Sequence, residues 1–421
     1  MVLIAFCHLL APACGQAADA LPASWQVGYK GTGYSFQTED RDGTVTDRFQ
    51  QFHLLSGSAS GIAGGWLTVR ASGRFADENF TDRAGFEEAK WYTGMFEARF
   101  GGAWKARVGR QLVQAGVTSL TLDGAGVDFK PNRSWNLAAW GGAKAPVYNT
   151  FDFGEFDQDA ALGGRVTYRP NYSWRLGLST AYRERLGQVA GRPVGGEIMT
   201  SALTNTRIFG RVAYDLVQDL WARVQAQAQW RSSATSPVVD LQYIDRYPTV
   251  DAVSWFSRFM NLERIRLARA SVRKEWPSRF GGELEYLGSF VGVRTSSRLG
   301  LAVLVPGGRV GYSLRLGDAG EENRFYGELG YDLTRWLWLG AEGSVLTYAL
   351  MQDAPVDQER DLTTLAARAR VQLRPGLRLL AEVQSLDNPL FEEDVRFLVG
   401  LDVSMARGSS RLGLDRGGWL Q

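Results

Sequence analysis

Few side chains in this 421-residue chain can do covalent or metal chemistry, and most of those that can lie at one end. Both cysteines, Cys7 and Cys14, and one of the two histidines, His8, fall within the first twenty residues. That stretch reads VLIAFCHLLAPA and then GQAADA, an apolar core followed by small residues, and Ala18-Asp19-Ala20 fits an A-x-A cleavage rule. Residues 1–20 are therefore expected to be a cleaved signal peptide, although the usual basic front is missing. Ala11-Pro12-Ala13-Cys14 is a poor lipoprotein box, because a leucine is expected at its first position. The exported chain would then keep His53 as its single imidazole and have no thiol, which excludes zinc sites, iron–sulfur clusters, covalent haem and cysteine catalysis. No cofactor and no metal site is expected.

His53, in Gln50-Gln51-Phe52-His53, invites a hydrolytic role, but no serine or acid partner follows from its spacing, so no catalytic residue is assigned. The acidic groups Asp152, Glu155, Asp157 and Asp159, and Glu392, Glu393 and Asp394, lack the regular ligand spacing of a calcium loop and read as solvated surface. Gly191 to Gly196 matches no phosphate-binding fingerprint, and nothing marks nucleic-acid binding.

Charge is the remaining chemistry. The 47 bases nearly balance 45 acids, and only six of the bases are lysine: Lys30, Lys90, Lys105, Lys130, Lys144 and Lys274. Arginine suits a wall in which each guanidinium makes several fixed hydrogen bonds to carboxylates and carbonyls. The elements that would hold such a wall show as alternation. Trp221 to Arg231 sets Arg223, Gln225, Gln227, Gln229 and Arg231 against Ala222, Val224, Ala226, Ala228 and Trp230. Ala367 to Arg374, Leu377 to Gln384 and Val395 to Val403 repeat it. The apolar face is Ala, Val and Leu with aromatics at the ends, as in strands that meet lipid, whereas a soluble sandwich packs large residues there. Beyond the first twenty positions no run of about 18 uninterrupted apolar residues occurs, so membrane-spanning helices are excluded.

Short turns recur at Gly64-Gly65, Gly101-Gly102, Pro131-Asn132, Pro170-Asn171, Gln218-Asp219, Pro277-Ser278, Gly307-Gly308, Thr334-Arg335 and Pro375-Gly376. Trp66, Trp104, Trp135, Trp174, Trp221 and Trp336 follow such turns and Trp276 precedes one, as an interfacial aromatic girdle requires. Longer acidic connections lie between them, at Asp77–Glu88, Asn149–Asp159, Ser232–Asn261, Asp318–Asn323, Asp353–Asp361 and Asp387–Asp394. The expected fold is an all-β, transmembrane, antiparallel up-and-down barrel of about 20 strands, within 18–22, with short periplasmic turns and long extracellular loops. It would span residues 21–405, with a polar tail at 406–421. Gly187–Thr206 and Ser232–Asn261 show no tidy strand.

Assigning faces by alternation directs Arg99, Lys105, Arg107, Arg165, Arg175, Arg183, Arg223, Arg231, Arg315, Arg368, Arg370, Arg374, Arg378 and Arg396 inward. Glu97, Glu283, Glu285, Glu328, Asp332, Glu342, Glu382 and Asp402 join them. The plain consequence is cross-strand pairing that stiffens a polar lumen; the sharper one is a field that favours anions.

Signal segment, alternating strands, Trp-marked turns and acidic loops together resemble bacterial outer-membrane porin-like proteins over the whole exported chain. Val108-Gly-Arg-Gln111, Leu122-Asp-Gly124 and Trp140-Gly-Gly142 look like pieces of porin-type barrels. Size and the absence of a haem motif are also similar to the barrel sheaths of porin-cytochrome conduits. The resemblance implies a non-enzymatic channel in the bacterial outer membrane, in contact with its lipid, passing small polar solutes, anions among them, as a monomer or homotrimer. The alternatives it leaves are a structural sheath around a periplasmic multihaem cytochrome and, more distantly, an outer-membrane hydrolase.

Overall fold

The computed structural model describes residues 23–407 apart from 40–43, 79–88, 147–150, 234–235, 249–262, 278, 319, 350–358 and 389–390. The signal segment and the tail beyond Arg407 lie outside the described residues. Among these residues there is no helix; the chain is a succession of strands. They are β1 (Ser24–Glu39), β2 (Val45–Ile62), β3 (Leu67–Glu78), β4 (Ala89–Phe100), β5 (Trp104–Ala115), β6 (Thr118–Phe129), β7 (Trp135–Lys144) and β8 (Ala160–Asn171). Next come β9 (Trp174–Arg185), β10 (Gln188–Gly191), β11 (Pro193–Thr200), β12 (Thr206–Asp215), β13 (Leu220–Arg231), β14 (Val238–Arg246), β15 (Ile265–Glu275) and β16 (Gly281–Val291). The last are β17 (Arg294–Val305), β18 (Gly308–Gly317), β19 (Glu321–Asp332), β20 (Leu337–Ala349), β21 (Glu359–Arg374), β22 (Leu377–Asn388) and β23 (Phe391–Arg407).

Each strand pairs antiparallel with its neighbour in sequence, and β23 pairs with β1 from Trp25 opposite Arg407 to Ser35 opposite Phe397. The sheet therefore closes on itself and leaves no edge, the condition a bilayer imposes on β structure. Segments β10 and β11 both pair with β9 and form one strand interrupted at Arg192, so the wall has 22 strands.

The two strands beyond the expected twenty come from the segments that looked untidy. Pro193–Thr200 is a strand although Gly195 and Gly196 erase its alternation, and Gly195 is there for packing: a Cβ on it would strike the Val212 carbonyl oxygen on β12 and the Val117 side chain. Val238–Arg246 pairs with β13 and β15, with Leu241 and Tyr243 on the apolar face.

Every connection at the rim that carries both chain ends is short, from two residues at 172–173 to six at 232–237. The opposite rim carries the long connections 79–88, 145–159, 247–264 and 350–358, but also two-residue hairpins at 116–117, 186–187 and 292–293. Long and short connections thus mix at that rim. The turn at Gln218-Asp219 belongs there too, where Asp215 Oδ1 accepts from the Val217 and Gln218 amides and Asp219 is left-handed (φ 53°). Trp221 therefore sits at the opposite end of the wall from Trp66, Trp104, Trp135, Trp174, Trp276 and Trp336.

Candidate pore lining and an inward-folded hairpin

The two faces of the wall differ in chemistry. One carries exposed apolar side chains in alternate positions, such as Leu299, Leu301 and Val303 on β17 and Val395, Phe397 and Val399 on β23. Aromatic partners stack on this face near the rims: Trp104 on Phe129 at 4.0 Å, Trp135 on Tyr168 at 4.4 Å and Trp66 on Phe100 at 5.7 Å. Tyr214 meets Trp221 edge-on at 5.2 Å at the other rim.

His53 belongs to this apolar face as well. It is the register partner of Gly31 and Phe75, and the Tyr29 hydroxyl lies 2.8 Å from its Nδ1. Among the described residues neither a serine nor a carboxylate is a hydrogen-bond partner of its side chain. Among the described residues no three His, Cys, Asp or Glu side chains group as metal ligands.

The other face is ionic and concave. A cavity of about 270 Å³ opens on it, lined by Arg269, Glu283, Glu285, Arg298, Arg309 and Glu328 with their neighbours. Glu285 accepts from Arg269 at 2.7 Å and Arg298 at 2.7 Å. Arg315 meets Glu322 at 3.0 Å, and Arg309 meets Glu328 at 3.0 Å. Arg368 bridges Glu342 at 3.0 Å and Glu382 at 2.9 Å, while Arg370 stacks over Trp338 at 4.6 Å. Arg378 donates to Gln372, and Arg396 joins Asp394 at 2.6 Å and Tyr34 at 3.0 Å. On β4 to β6, Glu97 meets Arg99 at 2.8 Å and Lys105 at 3.9 Å, and Asp128 takes Lys105 at 3.3 Å and Arg107 at 2.9 Å. Arg374 stands at the 375–376 turn, after the bulge between Gln372 and Arg374.

Strands β8 to β14 differ from that paired wall. Arg165, Arg175, Arg183, Arg207, Arg211 and Arg223 stand here, and Glu197 is the only carboxylate in salt-bridge contact with any of them among the described residues; Arg231 stands at the rim and donates to the Ser233 carbonyl. Glu197 accepts from Arg165 and lies 3.4 Å from Arg175; Arg211 is its register partner. It reaches Arg165 across Gly177, where a Cβ would collide with the Glu197 side chain. Neither Glu197 nor Arg211 stands out in the sequence, because the Gly195-Gly196 pair hides the strand that carries Glu197. Arg207 and Arg211 two turns of the pleat apart in TRIFGRVAYD were the signal available for Arg211.

The lumen is also narrowed from within. Strand β5 pairs with β4 only from Trp104 to Arg110, and β6 pairs with β7 only from Leu122 to Phe129. Residues 112–121 between those limits have register partners only among themselves, with the Thr121 carbonyl still accepting from the Ala145 amide just beyond β7, so the end of this hairpin leaves the wall. Its tip lies against strands three and four places further along the wall: the Val117 amide donates to Ser179 Oγ on β9 at 3.0 Å, and Val117 packs at Gly195 on β11. In a closed wall such a contact runs through the interior.

The bend has local causes. Gly109 adopts φ 115°, and a Cβ there would strike the Gly94 carbonyl oxygen. Its register partner Gly124 is pressed equally close to the Gly141 carbonyl. Past the bend, Val113 and Ala115 join Leu122, Trp140, Ala161 and Ala181 in a buried apolar cluster, while Leu112, Gln114 and Ser119 are exposed. Small inward residues on β8 and β9 give the hairpin a flat seat in an otherwise arginine-rich wall. Segment 151–154 covers the elbow. The Gly154 amide donates to Asp123 at 2.8 Å, Arg110 donates to the Asp152 carbonyl at 2.5 Å, and Phe153 lies 5.9 Å below the Arg110 guanidinium. So Asp152 serves the elbow through its backbone, and Glu155 accepts from Gln158.

No protein-family model matches the chain, and no curated protein matches it in sequence. Solved structures do match its fold. The translocation pore of the P pilus usher PapC is similar with a TM-score of 0.50 at 10% identity, over 90% of this chain and 99% of that one. Pseudomonas aeruginosa OccK8 (OprE) is similar with a TM-score of 0.44 at 10% identity, over 91% and 98%. A BenF-like porin from Pseudomonas fluorescens Pf-5 gives 0.41 at 9%, over 92% and 100%. The chain is thus a closed 22-strand antiparallel barrel whose structural neighbours are bacterial outer-membrane porins and channels.

Proposed function

We propose that this chain is a channel of the bacterial outer membrane that passes small polar solutes, with anions favoured. The carrying observation is the contrast of faces in a closed wall: exposed leucine, valine and phenylalanine outside, arginine and glutamate on the concave side. Strands of 9 to 18 residues supply the roughly 9–11 residues that cross a bilayer. In this account the residues from Arg99 to Arg396 named by alternation, with Glu328, Glu342 and Glu382, line the passage. The rim tryptophans lie at headgroup level, since an indole has an apolar body and one polar N–H. Export would proceed through residues 1–20, and the rim holding the chain ends would face the periplasm.

Barrels of about 16–18 strands already leave an aqueous channel, so 22 strands enclose a wider lumen that something must narrow. The hairpin 112–121 does so. It also occupies space that a cytochrome sheathed by the same barrel would need, which favours the channel over the sheath. His53 on the lipid-side face, with Tyr29 as partner, gives a hydrolase no support. The test is planar-bilayer recording of the purified chain: stable ionic conductance is expected, and its absence from correctly folded, heat-modifiable protein would reject the channel.

A further inference from the structure

The geometry points to a binding site for a multivalent oxyanion, one carrying two or more negative charges, on the inner wall of β8 to β13. This rests on the channel reading and deepens it. Three guanidinium groups, those of Arg165, Arg175 and Arg211, crowd the carboxylate of Glu197, and a fourth, that of Arg223, lies beside Arg211. Arg165 and Arg175 contact it, Arg211 stands directly opposite it on β12, and Arg211 lies within electrostatic reach of both Arg165 and Arg223. Arg223 in turn has another arginine, Arg246, as its register partner, a like-charge opposition that is unfavourable without a counter-charge.

Elsewhere in the lumen the charges are more nearly matched: Glu283 and Glu285 stand beside Arg269 and Arg298, and Arg368 has both Glu342 and Glu382. Around Glu197 they are not. The Nε–H groups of Arg165, Arg175 and Arg223 are buried and make no hydrogen bond among the described residues; those of Arg107 and Arg309 on the paired wall are alike in this, so what sets the patch apart is the number of guanidinium groups around one carboxylate. Arginine forks match the geometry of phosphate and carboxylate oxygens, and several converging forks favour an anion of more than one charge over chloride. The site also lies where a solute must pass close to the wall. Ser179, which holds the hairpin tip, is the register partner of Arg165. The hairpin therefore narrows the lumen beside the uncompensated arginines.

The experiment uses inorganic pyrophosphate as the probe, added to the full-length exported chain in planar bilayers carrying a chloride current. Pyrophosphate is expected to block that current, and Arg165→Gln with Arg211→Gln to raise the half-blocking concentration by about tenfold, the loss of two charge-assisted contacts. Glu197→Gln should shift it the opposite way, because it removes the carboxylate that competes for Arg165 and Arg175. Arg273→Gln, whose arginine pairs with Glu275 at 2.6 Å, should leave the half-blocking concentration unmoved. Equal shifts in the Arg165/Arg211 and Arg273 variants would show a diffuse field and overturn the site. A wild-type chain with no current counts against the channel alone. In that case binding of labelled pyrophosphate to the detergent-folded barrel decides, and no binding, or binding indifferent to Arg165 and Arg211, overturns the site.

Discussion

Arg110 and Asp123 form a two-pronged ion pair at the elbow where the β5–β6 hairpin leaves the wall, with Nε to Oδ1 and Nη2 to Oδ2 each 2.7 Å. Both side chains are almost fully buried, at 3% and 4% exposure, beneath segment 151–154. A buried pair contributes less by its own attraction than by what happens when one partner is lost. Arg110→Met alone is expected to destabilise the barrel by about 3–5 kcal/mol, because the Asp123 charge is left buried and uncompensated. The double variant Arg110→Met with Asp123→Leu should recover much of that loss. Denaturant unfolding in detergent micelles measures both; a double variant no better than the single one would show that the pair acts through something other than its charges.

The assignment of faces predicts opposite outcomes for neighbouring residues. Leu241 on β14 is exposed on the apolar face, and Gln242 next to it points to the ionic face as register partner of Gln227 and Arg269. Leu241→Arg should cost about 2–4 kcal/mol of stability in a bilayer, since a charge near the midplane faces hydrocarbon. Gln242→Arg should cost little. Equal tolerance of the two, measured by folding equilibria into lipid vesicles, would contradict the orientation of the wall.

The hairpin tip offers its own test, since the described residues contain no cysteine. Val117→Cys with Ser179→Cys places two thiols where the Val117 amide now meets Ser179 on β9. Oxidation should join them and protect both from a thiol reagent, with conductance unchanged. Replacing residues 112–121 by a short glycine link should instead raise conductance several-fold. Two thiols that stay free and react at the rate of exposed ones would mean that the tip does not rest on that wall.

The closed barrel is legible in the sequence because period-two alternation is local. In Trp221 to Arg231 the pattern shows its faces without any knowledge of the partner strands, and pairing with β12 and β14 follows it. What the pattern hides is non-local. Residues 112–121 keep a strand's alternation, and they are in fact extended; only the loss of pairing to β4 and β7 shows that they have left the wall. The fragments Val108 to Gln111, Leu122 to Gly124 and Trp140 to Gly142 look porin-like one by one in sequence, and the fold brings all three together at that elbow. Glu197 is hidden for a related reason: at Gly195 the Val212 carbonyl of β12 and the hairpin tip both press close, so packing overrides the local signal of its strand. Trp221 is legible as a rim residue, but rim identity depends on the parity of strands before it, and one of those, Gln188–Thr200, is hidden by its glycines.

The central claim is a membrane-spanning passage whose unmatched arginines favour anions. The most direct measurement is the zero-current potential of the purified wild-type chain in a planar bilayer with a potassium chloride gradient. The account predicts conductance with a reversal potential on the chloride side. A reversal potential on the potassium side would contradict it.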